Sequence, residues 1–143
     1  MKINQAGLDI IKRSEGCKLT AYLCPGKIVT IGWGHTGPDV FIGQRITQDE
    51  ADALLANDLA AFERGVSNSL GDIPTTHNQF SAMVSLAYNI GLTKFNSSSV
   101  LRYHKAGRHQ LAAASFLLWV KAKGRKLTGL VTRRNAERSL YVS

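Results

Sequence analysis

Three polar side chains near the amino terminus have the types and the spacing that acid–base chemistry requires. Glu15 is followed after eight residues by Cys24, and Thr30 comes after five more. A carboxyl group can donate a proton, a thiol or thiolate can accept a proton or attack as a nucleophile, and a hydroxyl can hold a water molecule. We interpret the three groups as one side of a candidate active site.

The segments around these residues predict a helix followed by a small antiparallel sheet. Asn4 is a good helix cap, and Gly16 suits the left-handed residue that ends a helix. From residue 18 to residue 31 the pattern alternates as in two strands, and Pro25 and Gly26 supply the turn between them. The three polar groups then lie at the helix end, at the hairpin tip and on the returning strand.

The rest of the chain reads as helical to its end. Capping boxes at 47–50 and 76–79 predict two helices, the second apolar on most sides and therefore central. Further helices are predicted from the serines at 97–99 to Gly107, over 111–120 and over 129–141. We therefore expect an α+β fold in a single domain, 1–143, with a small N-terminal sheet lobe, a larger helical lobe and an active-site cleft between them.

Composition fits one globular domain and limits the possible locations. The 143 residues are 44% hydrophobic and 20% charged, which argues against disorder. No apolar run approaches the roughly 20 residues that cross a bilayer, so stable membrane insertion is not expected. The amino terminus lacks the apolar core of a secretory signal. We expect the chain to stay in the cytoplasm in which it is made until another factor releases it.

Charge is concentrated in the last third of the chain. Residues 1–100 contain eight Lys or Arg and nine Asp or Glu, whereas residues 101–143 contain ten Lys or Arg and one acid, Glu137. A basic half suits a polyanion such as nucleic acid, a membrane surface or an anionic wall polymer, or it is simply a solvated face. No nucleic-acid-binding fingerprint accompanies the charge, so nucleic acid is not expected. The histidines and cysteines lack zinc-ligand spacing, so no metal is expected.

Four sequence blocks, in order along nearly the whole chain, resemble the phage-type lysozymes, the endolysins of glycoside hydrolase family twenty-four. They are Ser14-Glu15-Gly16 ahead of Tyr22, the run from Thr30 to His35, the run from Ala87 to Gly91, and the run from Gly129 to Glu137. The resemblance implies a lysozyme-like fold and cleavage of the β-1,4 bond between N-acetylmuramic acid and N-acetylglucosamine in bacterial peptidoglycan. It also implies no cofactor, a monomer, action in the periplasm after release from the host cytoplasm, and dependence on a separate holin.

The resemblance assigns roles to particular residues. Glu15 would be the general acid, with Cys24 at the position that is usually Asp in the family, and with Thr30 helping to position the water. Arg133 or Arg134 would support Glu15. The substrate side would include Tyr88, Asn89, His35 and Ser99, although His35 by its own chemistry more often supports a fold through hydrogen bonds, and Ser99 also suits a helix cap.

Cys24 leaves the mechanism open. A free thiol titrates near pH 8.5, so without positive neighbours Cys24 should be mostly neutral at pH 7. Either it orients a water together with Thr30, which gives inversion, or its thiolate attacks the sugar, which gives retention. The family resemblance favours inversion. Cys17 would form a redox brake with Cys24 if the two Cα atoms came within about 7 Å.

A second class of function is also open. The chain could be a lysozyme-like domain that binds wall glycan without cutting it, with Cys24 marking lost chemistry. The importance of Glu15 and Cys24 for turnover distinguishes the two.

Overall fold

The computed structural model describes all residues 1–143, and their contacts divide them into two compact units. The sheet unit is Lys12–Ala61, and the helical unit is Met1–Ile11 with Phe62–Ser143. The elements are α1 Gln5–Glu15, β1 Lys18–Leu23, β2 Val29–Gly32, α2 Gln48–Leu70, α3 His77–Ile90, α4 Leu92–Asn96, α5 Ser99–Lys105, α6 His109–Ser115, β3 Lys121–Ala122, β4 Arg125–Lys126 and α7 Thr128–Val142. The predicted α+β class is confirmed. One domain over 1–143, with a cleft between lobes, stays a prediction.

The first helix begins and ends where the sequence predicts. The Asn4 side chain accepts a hydrogen bond from the Gly7 backbone N–H at 3.0 Å, as a helix cap does. At the other end Gly16 has a φ of +68° and its N–H donates to the Lys12 carbonyl at 3.0 Å. Because a left-handed residue ends the helix here, Glu15 is its last residue.

Strands β1 and β2 form the predicted antiparallel hairpin of the sheet unit. Tyr22 pairs with Thr30 and Leu23 with Val29. A tight turn joins them, with the Lys27 N–H donating to the Cys24 carbonyl at 2.8 Å. Behind the hairpin, Ala21, Ile31 and Val40 form a small buried cluster. The hairpin therefore has one face toward an apolar core and one face available for polar groups.

Helix α3 is the centre of the helical unit, as predicted. All nine residues from Gln79 to Ala87 are buried, so this helix is enclosed on every side. The capping box at its start is present in full, with the Thr76 hydroxyl accepting from the Gln79 N–H and the Gln79 side chain accepting from the Thr76 N–H. The equivalent box at Thr47 and Glu50 opens α2.

The predicted helix over 111–120 is wrong at both ends. Helix α6 starts at His109 and ends at Ser115, a short 3₁₀ turn follows, and the chain then forms the hairpin of β3 and β4. Its two-residue turn is Lys123 and Gly124, both with positive φ (52° and 77°). Such a turn matches the twist of paired strands and interrupts the helix.

None of the helices combines the length and the apolar character that crossing a membrane requires.

Candidate active site

Two of the predicted catalytic groups lie together on the hairpin. Thr30 is buried and pairs directly with Tyr22 across the two strands, and cross-strand partners share one face of a sheet. Cys24 is two residues beyond Tyr22, which favours the same face by strand alternation. The Thr30 hydroxyl lies 3.0 Å from the Ile28 carbonyl and also hydrogen-bonds Cys24. The turn therefore places the Thr30 hydroxyl near enough to the Cys24 thiol to lower its pKa.

The turn also changes the acidity of the thiol. The pKa of Cys24 is lowered chiefly by the Ile28 backbone N–H, and further by the Gly26 N–H and the Thr30 hydroxyl, against partial desolvation. Hydrogen bonds to the charged form of an acid favour that form. Backbone N–H donors therefore lower the pKa of this thiol without any positive side chain.

Glu15 lies in the same unit, with its carboxylate against the loop that follows β2. A Cβ built on Gly34 would lie 3.0 Å from the Glu15 Oε2, and Gly34 has a φ of +97°. Only glycine adopts this conformation readily while leaving the carboxylate its room. Gly34, the second glycine of the Gly-Trp-Gly-His run, therefore allows the Glu15 carboxylate to lie against this loop.

Tyr22 lies near all three groups, although it is not among the residues that the sequence predicts for the site. Burial raises the pKa of the Tyr22 phenol, and the negative charges of Cys24 and Glu15 raise it further. Both acids are thus close enough to the same phenol to act on it electrostatically. The structure brings Glu15, Cys24 and Thr30 together around Tyr22. Strand alternation, with Tyr22 two residues before Cys24, is the sequence signal that could have identified it.

Cys17 and Cys24 lie at opposite ends of strand β1. This strand separates them, and a strand of six residues is roughly 16 Å long. Both cysteines are free thiols, and the Cys17 sulfur contacts the Gln48 side chain instead. The condition for the redox brake, two Cα atoms within about 7 Å, is not met with β1 folded.

His35 lies between two carboxylates. Its Nδ1 is 2.7 Å from Asp58 Oδ2 and its Nε2 is 2.9 Å from Asp39 Oδ2. Partial burial opposes the charged ring, but the two carboxylates outweigh it and the pKa of His35 is raised. The pKa of Asp39 is lowered chiefly by its hydrogen bond from His35. Because both ring nitrogens are engaged, this geometry favours the supporting role over contact with substrate.

The two predicted supporting arginines belong to a buried network in the helical unit. Glu137, fully buried, accepts from the Arg133 Nε at 3.2 Å and from the Arg134 Nη1 at 2.5 Å. The Ser85 hydroxyl also donates to it. Arg134 donates further to the Trp119 carbonyl at 2.8 Å. Burial lowers the pKa of Arg134, although the Glu137 charge opposes that shift. Support of Glu15 by either arginine stays a prediction.

The remaining predicted substrate residues are on the helical unit. Asn89, exposed near the end of α3, accepts a hydrogen bond from Arg134. Tyr88 is half-buried and packs edge-on against Phe62, with ring centroids 5.2 Å apart. Ser99 is the first residue of α5, and the cap itself is Ser98, which accepts from the Leu101 N–H. Contact of these residues with substrate stays a prediction.

Solved structures that superpose on this chain include a muramidase domain and a phage lysozyme. The muramidase domain of SpmX from Asticaccaulis excentricus superposes with a TM-score of 0.90 at 39% identity, over 99% of this chain and 98% of that one. The structure of a P22 lysozyme mutant superposes with a TM-score of 0.87 at 42% identity, over 100% and 99%. The fold is therefore of the lysozyme class.

The chain belongs to the phage lysozyme family, whose model matches residues 12–137. It is 47% identical to an endolysin of Bacillus phage PZA over its whole length, but it spans only 56% of that relative. It is 42% identical to the endolysin of Salmonella phage P22 and covers 99% of it. The recognition made from the four sequence blocks is confirmed.

Proposed function

We propose that this chain is a muramidase, a lysozyme that hydrolyses the β-1,4 bond between N-acetylmuramic acid and N-acetylglucosamine in peptidoglycan and serves host-cell lysis. The observation that carries the proposal is the grouping of Glu15, Cys24 and Thr30 around Tyr22 in a member of the phage lysozyme family. Similarity to a protein described as a muramidase domain supports the same reaction.

The reaction needs a proton donor on one side of the bond and a water on the other. Glu15 gives its proton to the glycosidic oxygen as the carbon–oxygen bond breaks. Thr30 and Cys24 hold a water whose oxygen bonds to the anomeric carbon, and the water's proton passes to the Cys24 thiolate. Solvent then returns a proton to Glu15 and takes one from Cys24, so the balance closes. The product has inverted configuration.

The lowered pKa of Cys24 supports its use as a base, because more of the thiol is ionised near neutral pH than in an ordinary cysteine. The same property would suit a nucleophile, which forms a covalent intermediate and retains configuration. NMR of the first product distinguishes the two routes. Inversion at a β-linked sugar releases the α-anomer first, and an initial β-anomer would overturn the base role in favour of the nucleophile.

Variants of the two acids test the function itself. We expect Glu15→Gln to abolish turbidity loss of permeabilised Gram-negative cells, because an amide cannot donate the proton. Cys24→Asp should lyse cells and Cys24→Ser should not, because only a group that ionises accepts the water's proton. Binding of wild type to purified walls without any lysis would instead support the alternative, a wall-binding domain that has lost catalysis.

The other groups complete the proposal. Tyr88, Asn89 and Ser99 contact the glycan, Arg133 or Arg134 supports Glu15, and His35 holds the loop that carries Gly34. The protein acts as a monomer on the wall after a separate holin releases it from the host cytoplasm. Sedimentation velocity, and lysis timing with and without a co-expressed holin, test these last two points.

A further inference from the structure

The hairpin of β3 and β4, residues Lys121–Lys126, carries four cations in six residues. Lys121 pairs directly with Lys126, and Arg125 pairs with Ala122. Like charges placed directly opposite each other destabilise paired strands. All four cations are exposed, and none has a salt bridge or a side-chain hydrogen bond. No acidic side chain pairs with these cations to offset their mutual repulsion. We call residues Lys121–Lys126 the cationic hairpin.

The backbone nevertheless specifies the hairpin. Lys123 and Gly124 have the two positive φ values of a tight hairpin turn. Below them the Leu127 N–H donates to the Val120 carbonyl at 3.0 Å, which continues the ladder by one pair. The Trp119 carbonyl, at the root, is fixed by buried Arg134. The charges are therefore displayed on a defined projection rather than on a mobile tail.

The rest of the segment 101–143 also carries exposed positive charge. Residues 101–143 contain eight exposed cations, the four of the hairpin together with Arg102, Lys105, Arg108 and Arg138. Their one acid, Glu137, is fully buried and paired with Arg133 and Arg134. No acidic side chain of this segment is exposed, and its exposed cations favour a polyanion as the partner.

Exposed leucines beside the hairpin indicate which polyanion. Leu118, just before β3, is 70% exposed, and Leu127, just after β4, is 44% exposed. A soluble polyanion offers no apolar surface to these leucines. A bilayer interface binds cations at its anionic headgroups and apolar side chains at the boundary of the acyl chains. From these observations we propose that the cationic hairpin docks on the surface of an anionic phospholipid bilayer, without crossing it. None of the hairpin residues is among the groups assigned to catalysis.

The test is cosedimentation of the full chain with vesicles. Vesicles of phosphatidylglycerol with phosphatidylcholine should bind the wild type, more weakly as salt rises, and vesicles of phosphatidylcholine alone should not. Each cation near such a surface contributes roughly fivefold to partition. The variant with Lys121, Lys123, Arg125 and Lys126 changed to Gln should therefore bind on the order of 100-fold more weakly or worse.

A matched control changes Arg102, Lys105, Arg108 and Arg138 to Gln, which removes the same four charges from elsewhere in the segment. We expect it to keep most of the binding. Equal loss in both variants would show that net charge alone acts and would overturn the proposal. Circular dichroism and hydrolysis of purified peptidoglycan should be unchanged in the hairpin variant, which keeps this test independent of the proposed muramidase activity.

Leu118→Ser tests the choice of a bilayer. It should weaken vesicle binding severalfold and leave binding to soluble polyphosphate unchanged, because only the bilayer offers an apolar contact. Vesicle binding equal to that of the wild type would overturn the bilayer assignment, as would hairpin-dependent binding to polyphosphate without any binding to vesicles.

Discussion

At the scale of single residues, the tight turn after β1 explains how a cysteine can occupy a position that usually holds an aspartate in the resembled family. Hydrogen bonds from the backbone N–H groups of Ile28 and Gly26 and from the Thr30 hydroxyl lower the pKa of Cys24 and so favour its charged form. The sequence shows the cysteine and its spacing but not these donors, because backbone groups leave no trace in the residue types.

The role of Cys24 predicts a pH dependence. If the thiolate accepts the water's proton, kcat/KM rises with pH as Cys24 ionises, and the rise is centred below the ordinary pKa of a thiol because the pKa of Cys24 is lowered. In Cys24→Asp the rising limb should move several pH units lower, toward the pKa of a carboxyl. Initial rates on soluble peptidoglycan fragments across pH measure this. If the rising part of the profile lies at the same pH in Cys24→Asp as in wild type, a group other than Cys24 is responsible for it.

Gly34 should be required for activity because its missing side chain leaves room for Glu15. In Gly34→Ala the new Cβ would lie 3.0 Å from the Glu15 Oε2, so the carboxylate has to move to relieve the close contact. Displacement of a reacting group from its productive position lowers the rate, and we expect a loss of about tenfold or more. Gly43→Ala is the control, since Gly43 has a similar φ of +94° and nothing within 4 Å. Hydrolysis rates and melting temperatures of both variants should show similar destabilisation but loss of activity only in Gly34→Ala. Equal activity would contradict this account.

At the scale of elements, His35 ties the loop after β2 to helix α2. The Ile31 and His35 backbones exchange two hydrogen bonds that close the loop containing Gly34. The His35 ring then reaches Asp58 on α2 and Asp39. Because Gly34 contacts Glu15, anchoring this loop helps to place the proposed general acid.

This anchor predicts a stability profile with pH. The folded pKa of His35 is raised above 6.5, so its contribution is complete below pH 6.5 and is lost as pH rises through the folded value. The lowered pKa of Asp39 adds stability that is lost as pH falls below about 4. Relative to His35→Gln, the wild type should be more stable by about 1–2 kcal/mol near pH 5.5, after allowance for solvent screening.

Urea unfolding of both proteins from pH 4 to pH 9 measures the difference, which should shrink steadily above pH 7. A difference that stays constant across this range would show that the His35 charge contributes nothing and that only its shape matters.

The elements that the sequence predicts well are those with local signals. Asn4, Gly16 and the capping boxes at Thr47 and Thr76 define helix ends through bonds made within a few residues. The hairpin of β3 and β4 is missed because its strands are two residues long and its turn begins with a lysine in the left-handed region. Such a conformation is rare for lysine and is not indicated by residue type.

At the scale of the whole molecule, the helical unit contains a buried network in which Glu137 pairs with both Arg133 and Arg134. Glu137→Gln should remove the carboxylate that Arg133 and Arg134 share, at a site where both arginines are buried. Breaking a buried pair in this way costs about 3–5 kcal/mol. Arg138→Gln, one residue away and exposed, should cost less than about 0.5 kcal/mol. Urea unfolding that finds the two variants equally stable would contradict the network's role.

The spacing of Glu15, Cys24 and Thr30 and the family resemblance together predict these three residues as the catalytic groups. The sequence does not predict Tyr22, whose part depends on two acids that are distant in the chain acting on one phenol. Nor does it predict the pairing of Glu137 with both arginines, because residue types alone do not show which groups are buried together.

The most direct test of the proposed activity is the identity of the reducing ends released from purified peptidoglycan. Muramidase action by wild type should create new N-acetylmuramic acid reducing ends, found by borohydride reduction and sugar analysis, and Glu15→Gln should create none. New N-acetylglucosamine ends, or none from a wild type that still binds the walls, would contradict the central claim.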